Sequence, residues 1–375
     1  MPYDVVIIGG GLAGCSAARQ LAQRHYDVCL LEQHTYPRHK LCGEFLSPEA
    51  QDSFRRLGVL DEVQSAGARA IAHTRLTDAS GASTRHALPA PALGLSRYRL
   101  DALLFRAACA AGTDGRPGTR VTDLRGSLRD GFVVETTGAP VEGRLVLGAY
   151  GRRTRLDRSL DRPFLHESSP YVGFKAHYEG PGVPDTIELH SAPGGYCGVS
   201  PVEANRANVC WIGRVDALTA AGGTPEAMLD ALRRNPALDA RLRELHRVSK
   251  RFEAVSQVPL MPKSRVVNDV CMVGDAAGMI APLCGDGMAM ALQAADLVVP
   301  LAATFLEGDG RPAPFRRAYD RRWRQTFGRR MRLGRWVHAA AFRPGAAQAL
   351  VRACRWVPPL ARWLIRSTRG RPASA

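Results

Sequence analysis
Residues 3–9 (YDVVIIG) are apolar without alternation and break directly into Gly9-x-Gly11-x-x-Gly14. Such a run fits a parallel strand covered on both faces. Each glycine has a mechanical reason: Gly9 turns the chain, Gly11 lets the backbone approach a pyrophosphate, and Gly14 lets the next helix pack close to the strand. A helix is expected over 13–24 and a second strand over 27–32, a βαβ unit in about 30 residues. The helix N-terminus offers phosphate unpaired N–H groups and the positive end of its dipole. Glu32 follows Gly14 by 18 residues. At the end of the second strand its carboxylate can accept from both ribose hydroxyls, and it repels a 2′-phosphate. Strand, turn, helix and acid in register point to a bound dinucleotide and a Rossmann-like α/β core.

The fingerprint does not separate NAD from FAD. A second site far along the chain does. Residues 270–273 form an apolar strand followed by Gly274-Asp275-Ala276-Ala277-Gly278. Then comes Pro282-Leu283-Cys284-Gly285-Asp286-Gly287-Met288, opening a long apolar helix to Leu306. Asp275 at a strand end can hydrogen-bond a ribitol hydroxyl, and the glycines up to Gly287 let a flavin ring approach the backbone. The helix N-terminus faces the ring edge where negative charge develops on reduction. NAD needs no second loop; FAD, the longer molecule, does. Pro282 is expected beside the flavin because its loop passes so close.

Between these two sites the pattern changes. Residues 70–77 and 83–88 read as a hairpin. Residues 171–178, 186–190, 195–201 and 207–214 read as short strands between Gly/Pro turns, with a helical pair at 225–247. An antiparallel sheet inserted into the α/β body accounts for them. On 171–178, Gly173, Lys175 and His177 share one face, with Val172, Phe174 and Ala176 on the other. The polar face meets either solvent or a substrate cavity over the flavin. In the cavity, Lys175 or His177 could orient a phenolate, and His177 could move its proton. The 375 residues divide accordingly: 1–69, 98–165 and 261–330 for the FAD domain, 70–97 and 166–260 for the substrate domain, and 331–375 for basic amphipathic helices.

The formal net charge of +16 is local. Residues 311–375 hold 17 arginines, no lysine and one acid, Asp320, so the tail carries the whole excess. Over 345–369, Leu350, Ala353, Trp356, Leu360, Trp363 and Leu364 intermingle at helical spacing with Arg352, Arg355, Arg362, Arg366 and Arg369, and Pro358-Pro359 kinks or restarts the helix. This suits peripheral contact with an anionic membrane, or a helix docked on the body with arginine outward. No recognised nucleic-acid module is present, and no such partner is expected. Nine scattered cysteines without C-x-x-C argue against a disulfide framework or a zinc site, so no metal is expected. No leader-like segment opens the sequence, and the helix over 287–306 contains Gln293 and Asp296, which suits a buried element. The expectation is a cytoplasmic protein, peripheral on the membrane at most.

Gly9–Gly14 with Glu32, Ser96-Arg97-x-x-Leu100-Asp101, and Gly274-Asp275 with Gly285-x-Gly287 resemble the flavoproteins of the para-hydroxybenzoate hydroxylase fold. Lys40-Leu41-Cys42-Gly43-Glu44-Phe45-Leu46-Ser47-Pro48 narrows the resemblance to the geranylgeranyl reductase-like branch. Gly195-Tyr196-Cys197-Gly198-Val199-Ser200-Pro201 and Thr368-Arg369-Gly370 are similar to the oxidoreductases encoded beside type III polyketide synthases. The resemblance implies FAD contacts at Ala13, Gly14, Glu32, Arg97, Val121, Asp275 and Met288, with NADH or NADPH as reductant. It also implies that Cys42-Gly43-Glu44 lies near the flavin ring, with Cys42 as a reactive thiol or an inert packing residue. One departure touches nicotinamide docking: the family's Gly-Ala-Asp-Gly is here Gly148-Ala149-Tyr150-Gly151.

Halogenases of this scaffold carry W-x-W-x-I-P and its prenyl reductases Y-x-W-x-F-P. The segment Tyr196–Pro201 lacks both tryptophans of the first and the aromatic pair of the second. By elimination, the expectation is an FAD-dependent monooxygenase hydroxylating a hydrophobic small molecule, an aromatic polyketide or alkyl-phenol. The alternative is an FAD-dependent reductase of a prenyl or polyketide carbon–carbon double bond.

Overall fold
The computed structural model describes residues 1–370, apart from 182, 184 and 309. Its central strand is Tyr3–Ile8, with Val5, Val6 and Ile7 fully buried. It pairs in parallel with Val28–Glu32 on one side and Val141–Gly148 on the other. Asp114–Pro117 and Val270–Met272 continue the parallel order outward. The helices Leu12–Ala22, Arg97–Ala110 and Gly287–Glu307 share one apolar core with this sheet. Val121–Ser127 and Gly131–Thr136 add an antiparallel meander that returns into Val141–Gly148. The meander leaves little trace in the sequence, because its outer strand alternates charged and small residues with few apolar ones.

Gly287–Glu307 is the one described helix long and apolar enough to cross a membrane. Its apolar face is core instead: Leu292, Ala295, Val298 and Val299 are fully buried. Asp296 accepts from Gln20 and from Ser53, both at 2.9 Å.

The second sheet runs 246–247, 171–179, 206–214, 195–202, 186–192, 69–77, 83–94, 45–46 in spatial order. It is antiparallel except where Thr186–Ala192 lies parallel to Arg69–Thr77. Val172, Phe174, Ala176, Val209 and Trp211 pack on one face against Leu229, Leu232 and Leu238 of the helices Pro225–Leu232 and Pro236–Arg243. The face bearing Lys175, His177, Asn208 and Cys210 therefore turns towards the first domain.

Two expected boundaries differ. Phe45–Leu46, inside the segment assigned to FAD, pairs with Leu93–Gly94 of the second sheet. The helix Pro312–Ala341 runs unbroken across residue 330, because Pro314 falls in its first turn and the single glycines Gly328 and Gly334 weaken a helix without ending it. The tail is thus a continuation of the body. Pro344–Trp356 and Pro358–Ser367 follow and lie on the Ser83–Gly94 strand.

The long helix is clamped to the start of Gly287–Glu307 by Arg330, which donates to Asp286 at 2.8 Å and to Gln293 at 2.9 Å. Ser47 also donates to Asp286, at 3.0 Å. Burial pushes the Asp286 carboxyl up to about 6 against the opposing pull of Arg330. Its folded pKa therefore exceeds its unfolded one, and this group adds stability as pH falls through about 6. Arg330→Met should cost about 3–5 kcal/mol at pH 8, where a buried carboxylate loses its cation. At pH 5 the loss should shrink, because the neutral acid needs no cation. Urea unfolding at the two pH values checks this; an equal loss at both would refute it.

Candidate functional site
The cleft begins where Tyr3–Ile8 meets the helix Leu12–Ala22. Gly9 has φ +109°, and a Cβ there would stand 2.5 Å from the Ala149 carbonyl oxygen. A Cβ on Gly14 would stand 1.9 Å from the Gly9 oxygen. Gly14 therefore lies under the turn, where it permits packing, and does not line the cleft. Gly11 is open. The nearest atoms to a Cβ there are Lys40 Nζ at 3.5 Å and an Arg97 guanidinium nitrogen at 3.8 Å. The helix start carries no side-chain cap, so its first N–H groups and these two cations converge on one cradle suited to phosphate. Asp101 holds the Arg97 fork with bonds of 2.6 and 2.7 Å, and lies 3.7 Å from Lys40.

At one end of the cleft, Glu32 accepts from the N–H groups of Gly10 at 2.9 Å and His34 at 3.0 Å. Arg38 stands 3.4 Å from the same carboxylate. Val121 lines this end as well. At the other end, Gly274 (φ +64°) and Asp275 follow the Val270–Met272 strand. Pro282, Gly287 and Met288 then line the wall together with Cys42 and Phe45. Ala13 lines the cleft as well, packed against Gly274. The continuous cleft has a volume of about 650 Å³, within the usual range for cofactor and ligand sites. The open Gly11 cradle, the acid at one end and the glycine-lined wall at the other fit FAD.

Lys175 and His177 lie elsewhere than expected. They share one face, as the period of two requires, but neither of their side chains lines the cleft. Both side chains are buried against Glu44. The Lys175 ammonium donates to Glu44, and His177 Nε2 lies 2.6 Å from its other oxygen. The Arg97 backbone N–H donates to the same carboxylate at 2.7 Å. Burial raises the Glu44 carboxyl, but the Lys175 charge and the His177 bond outweigh it and hold the group at about 2. The two residues thus brace the Cys42–Glu44 loop, while Cys210 and Ile212 of the neighbouring strand line the cleft in their place. Asn208 strengthens the brace by donating to the Cys42 carbonyl at 3.1 Å.

Tyr150, at the position of the departure, lines the cleft with its ring. Its hydroxyl donates to Asp157 at 3.1 Å, and Arg162, ion-paired to Asp157 at 2.9 Å, lies 3.3 Å from it.

Sequence reasoning leaves Lys40 and Lys263 unassigned, and it gives Glu44 a place near the flavin only through the resemblance. Lys263 is buried and donates to the Asp275 carbonyl at 3.0 Å, and burial pulls its ammonium down to about 8. The available signal is scarcity. Lysine occurs only at 40, 175, 250 and 263 in this arginine-rich chain, and three of the four converge on the cleft and its supports.

Menaquinone reductase of Mycolicibacterium smegmatis is 28% identical over 319 residues, covering 80% of this chain and 76% of that protein. Digeranylgeranylglycerophospholipid reductase 1 of Methanopyrus kandleri is 28% identical over 342 residues, 87% of each. A flavoprotein/dehydrogenase from Cytophaga hutchinsonii has the same fold. Its TM-score is 0.82 at 19% identity, over 97% of this chain and 92% of that one. The family model described as an FAD binding domain matches residues 2–329, the same span that builds both ends of the cleft, so this chain belongs to that family and is an FAD-dependent oxidoreductase.

Proposed function
We propose that the enzyme reduces an isolated carbon–carbon double bond in a long apolar, prenyl-type substrate, with NADH or NADPH as electron source. The observation that carries this reading is the cleft wall at the flavin end. Cys210, Ile212, Val255, Val258, Met279 and Ile280 give it an apolar stretch, in a lining that also holds the acids Glu44 and Asp275. The two side chains expected to hold a phenolate are engaged by Glu44. Both relatives described above are named as reductases, one of them of a digeranylgeranyl lipid.

Reduced FAD, when bound, supplies a hydride equivalent. The chain's part is to exclude water from the apolar wall and to add a proton to the adjacent carbon. Cys42 lines the cleft, and its Sγ accepts from the Glu44 N–H at 3.4 Å beside the Arg97 guanidinium. A thiolate left there after proton transfer has a donor and a cation next to it. Solvent admitted when the product leaves then returns the proton to sulfur. The product gains two hydrogens, one of them from the thiol. Turnover of geranylgeranyl lipids under nitrogen tests this by product mass. Cys42→Ala should lower kcat about 100-fold with FAD content unchanged. Full activity in that variant would remove the thiol from the mechanism.

Hydroxylation of an aromatic polyketide or alkyl-phenol is the second reading. The Glu44–His177 bond favours it. Glu44 lines the cleft, and His177 lines a separate surface pocket of about 310 Å³ with His39 and Tyr98, so a phenolic proton has a route out. A product heavier by one oxygen, formed only in air, would establish this reading in place of the first.

A further inference from the structure
The C-terminal helices carry a surface that nothing among the described residues covers. Pro344–Trp356 docks through Ala347, Val351 and Cys354, and Pro358–Ser367 through Ala361 and Ile365. Around the Pro358-Pro359 turn between them, Trp356 is 80% exposed, Val357 49% and Trp363 50%. Trp336 of the preceding helix is 60% exposed. Trp211 and Trp323 are buried, so every outward-facing tryptophan lies in the tail. Arg352, Arg355, Arg362 and Arg366 are exposed on the same two helices. None of the four is ion-paired among the described residues, and no acid follows Asp320 in the sequence. Arg369, which continues the same spacing, turns inward and stands 5.3 Å over the Phe45 ring.

Indole rings held in water beside unpaired guanidinium groups are costly for a surface that meets only solvent. They match the interface of a bilayer, where indole sits at headgroup level and arginine binds lipid phosphate. We propose that this corner docks on an anionic lipid bilayer. A nucleic acid would answer the arginines alone and leave the exposed Trp356, Val357 and Trp363 in water.

The position of the corner gives docking a use. Ile365 packs into the small core of Ile71, Leu88 and Phe45, and Phe45 lines the cleft. A docked bilayer would thus lie one helix away from the cleft wall. Service to a lipid substrate rests on the reductase reading; docking itself does not.

The experiment uses the full-length, FAD-loaded protein with phosphatidylcholine vesicles, with and without phosphatidylglycerol. Co-sedimentation and tryptophan emission are the readouts, so turnover is not involved. Binding is expected only with phosphatidylglycerol, weakening as salt rises and shifting the emission to the blue. Neutralising Arg352, Arg355, Arg362 and Arg366 to Gln should weaken it about five-fold per residue. Trp356→Ser with Trp363→Ser should abolish most of the emission shift while FAD absorbance stays unchanged. Equal binding to both vesicle types, or variants that bind like the parent, would overturn the proposal. So would an oligonucleotide that binds more tightly than the vesicles and displaces them. The lipid and salt dependence of the parent protein decides the matter even if a variant fails to fold.

Discussion
Gly14→Ala is expected to give a colourless protein, and Gly11→Ala a colourless protein that is otherwise intact. The two glycines are three residues apart in one motif, yet the structure separates their roles. At Gly14 the added carbon would stand 1.9 Å from the Gly9 carbonyl oxygen. Both partners are backbone, so relief requires the helix to move off the strand, at about 3 kcal/mol or more. Unfolding of the apoprotein should report that loss. At Gly11 the nearest atom is Lys40 Nζ at 3.5 Å, an ordinary contact, and stability should change by no more than about 0.5 kcal/mol. The methyl instead occupies the approach to the helix N-terminus, between two cations. FAD affinity should fall roughly 100-fold as the pyrophosphate is held off. Fluorescence titration of apoprotein with FAD separates the cases. Wild-type affinity in Gly11→Ala would show that the phosphate lies elsewhere.

Glu44→Gln should be among the most destabilising single changes outside the central strands. It leaves the buried Lys175 ammonium without a counter-charge, which costs about 3–5 kcal/mol. Adding Lys175→Met to Glu44→Gln should recover much of the loss, since two neutral groups need no pairing. A double change no more stable than Glu44→Gln alone would mean that the pair itself is not what holds the loop. The same group predicts an acid limb. Its folded pKa of about 2 lies below the unfolded value of about 4.3. The stability it contributes is present above the unfolded value and is lost as pH falls towards 2, and it amounts to about 3 kcal/mol. Glu44→Gln should therefore show a flatter loss of stability between pH 5 and pH 2 than the parent, measured by urea unfolding. This trend is opposite in sign to that of Asp286, which gains stability as pH falls through about 6.

Much of the cofactor site is legible in the sequence because its requirements are local. Gly9 must take a positive φ, Gly14 must lack a side chain, and Glu32 must end the adjacent strand. Each condition is met within a single βαβ unit. Asp275, Pro282 and Gly287 form a second local unit of the same kind. The meander over 121–136 escapes sequence reasoning because its outer strand is half solvated. The tail is legible as helix, but not in its facing. Trp356 and Trp363 turn outward because the small residues Ala347, Cys354 and Ala361 make the closer contact with the body.

The sequence by itself determined the α/β core, the two glycine turns that border the cleft and the placing of Lys175 and His177 on one strand face. Only the tertiary structure decided what that face meets. A period of two is satisfied equally by solvent, by a cavity or by a buried acid. Glu44 lies 131 residues from Lys175 and 133 from His177, and it reaches them only because one sheet is laid over the loop of the other. Backbone geometry acts between neighbours in the chain and leaves its mark as residue type at short spacing. Charge pairing across two sheets depends on register and on how the sheets stack, and no short spacing encodes that.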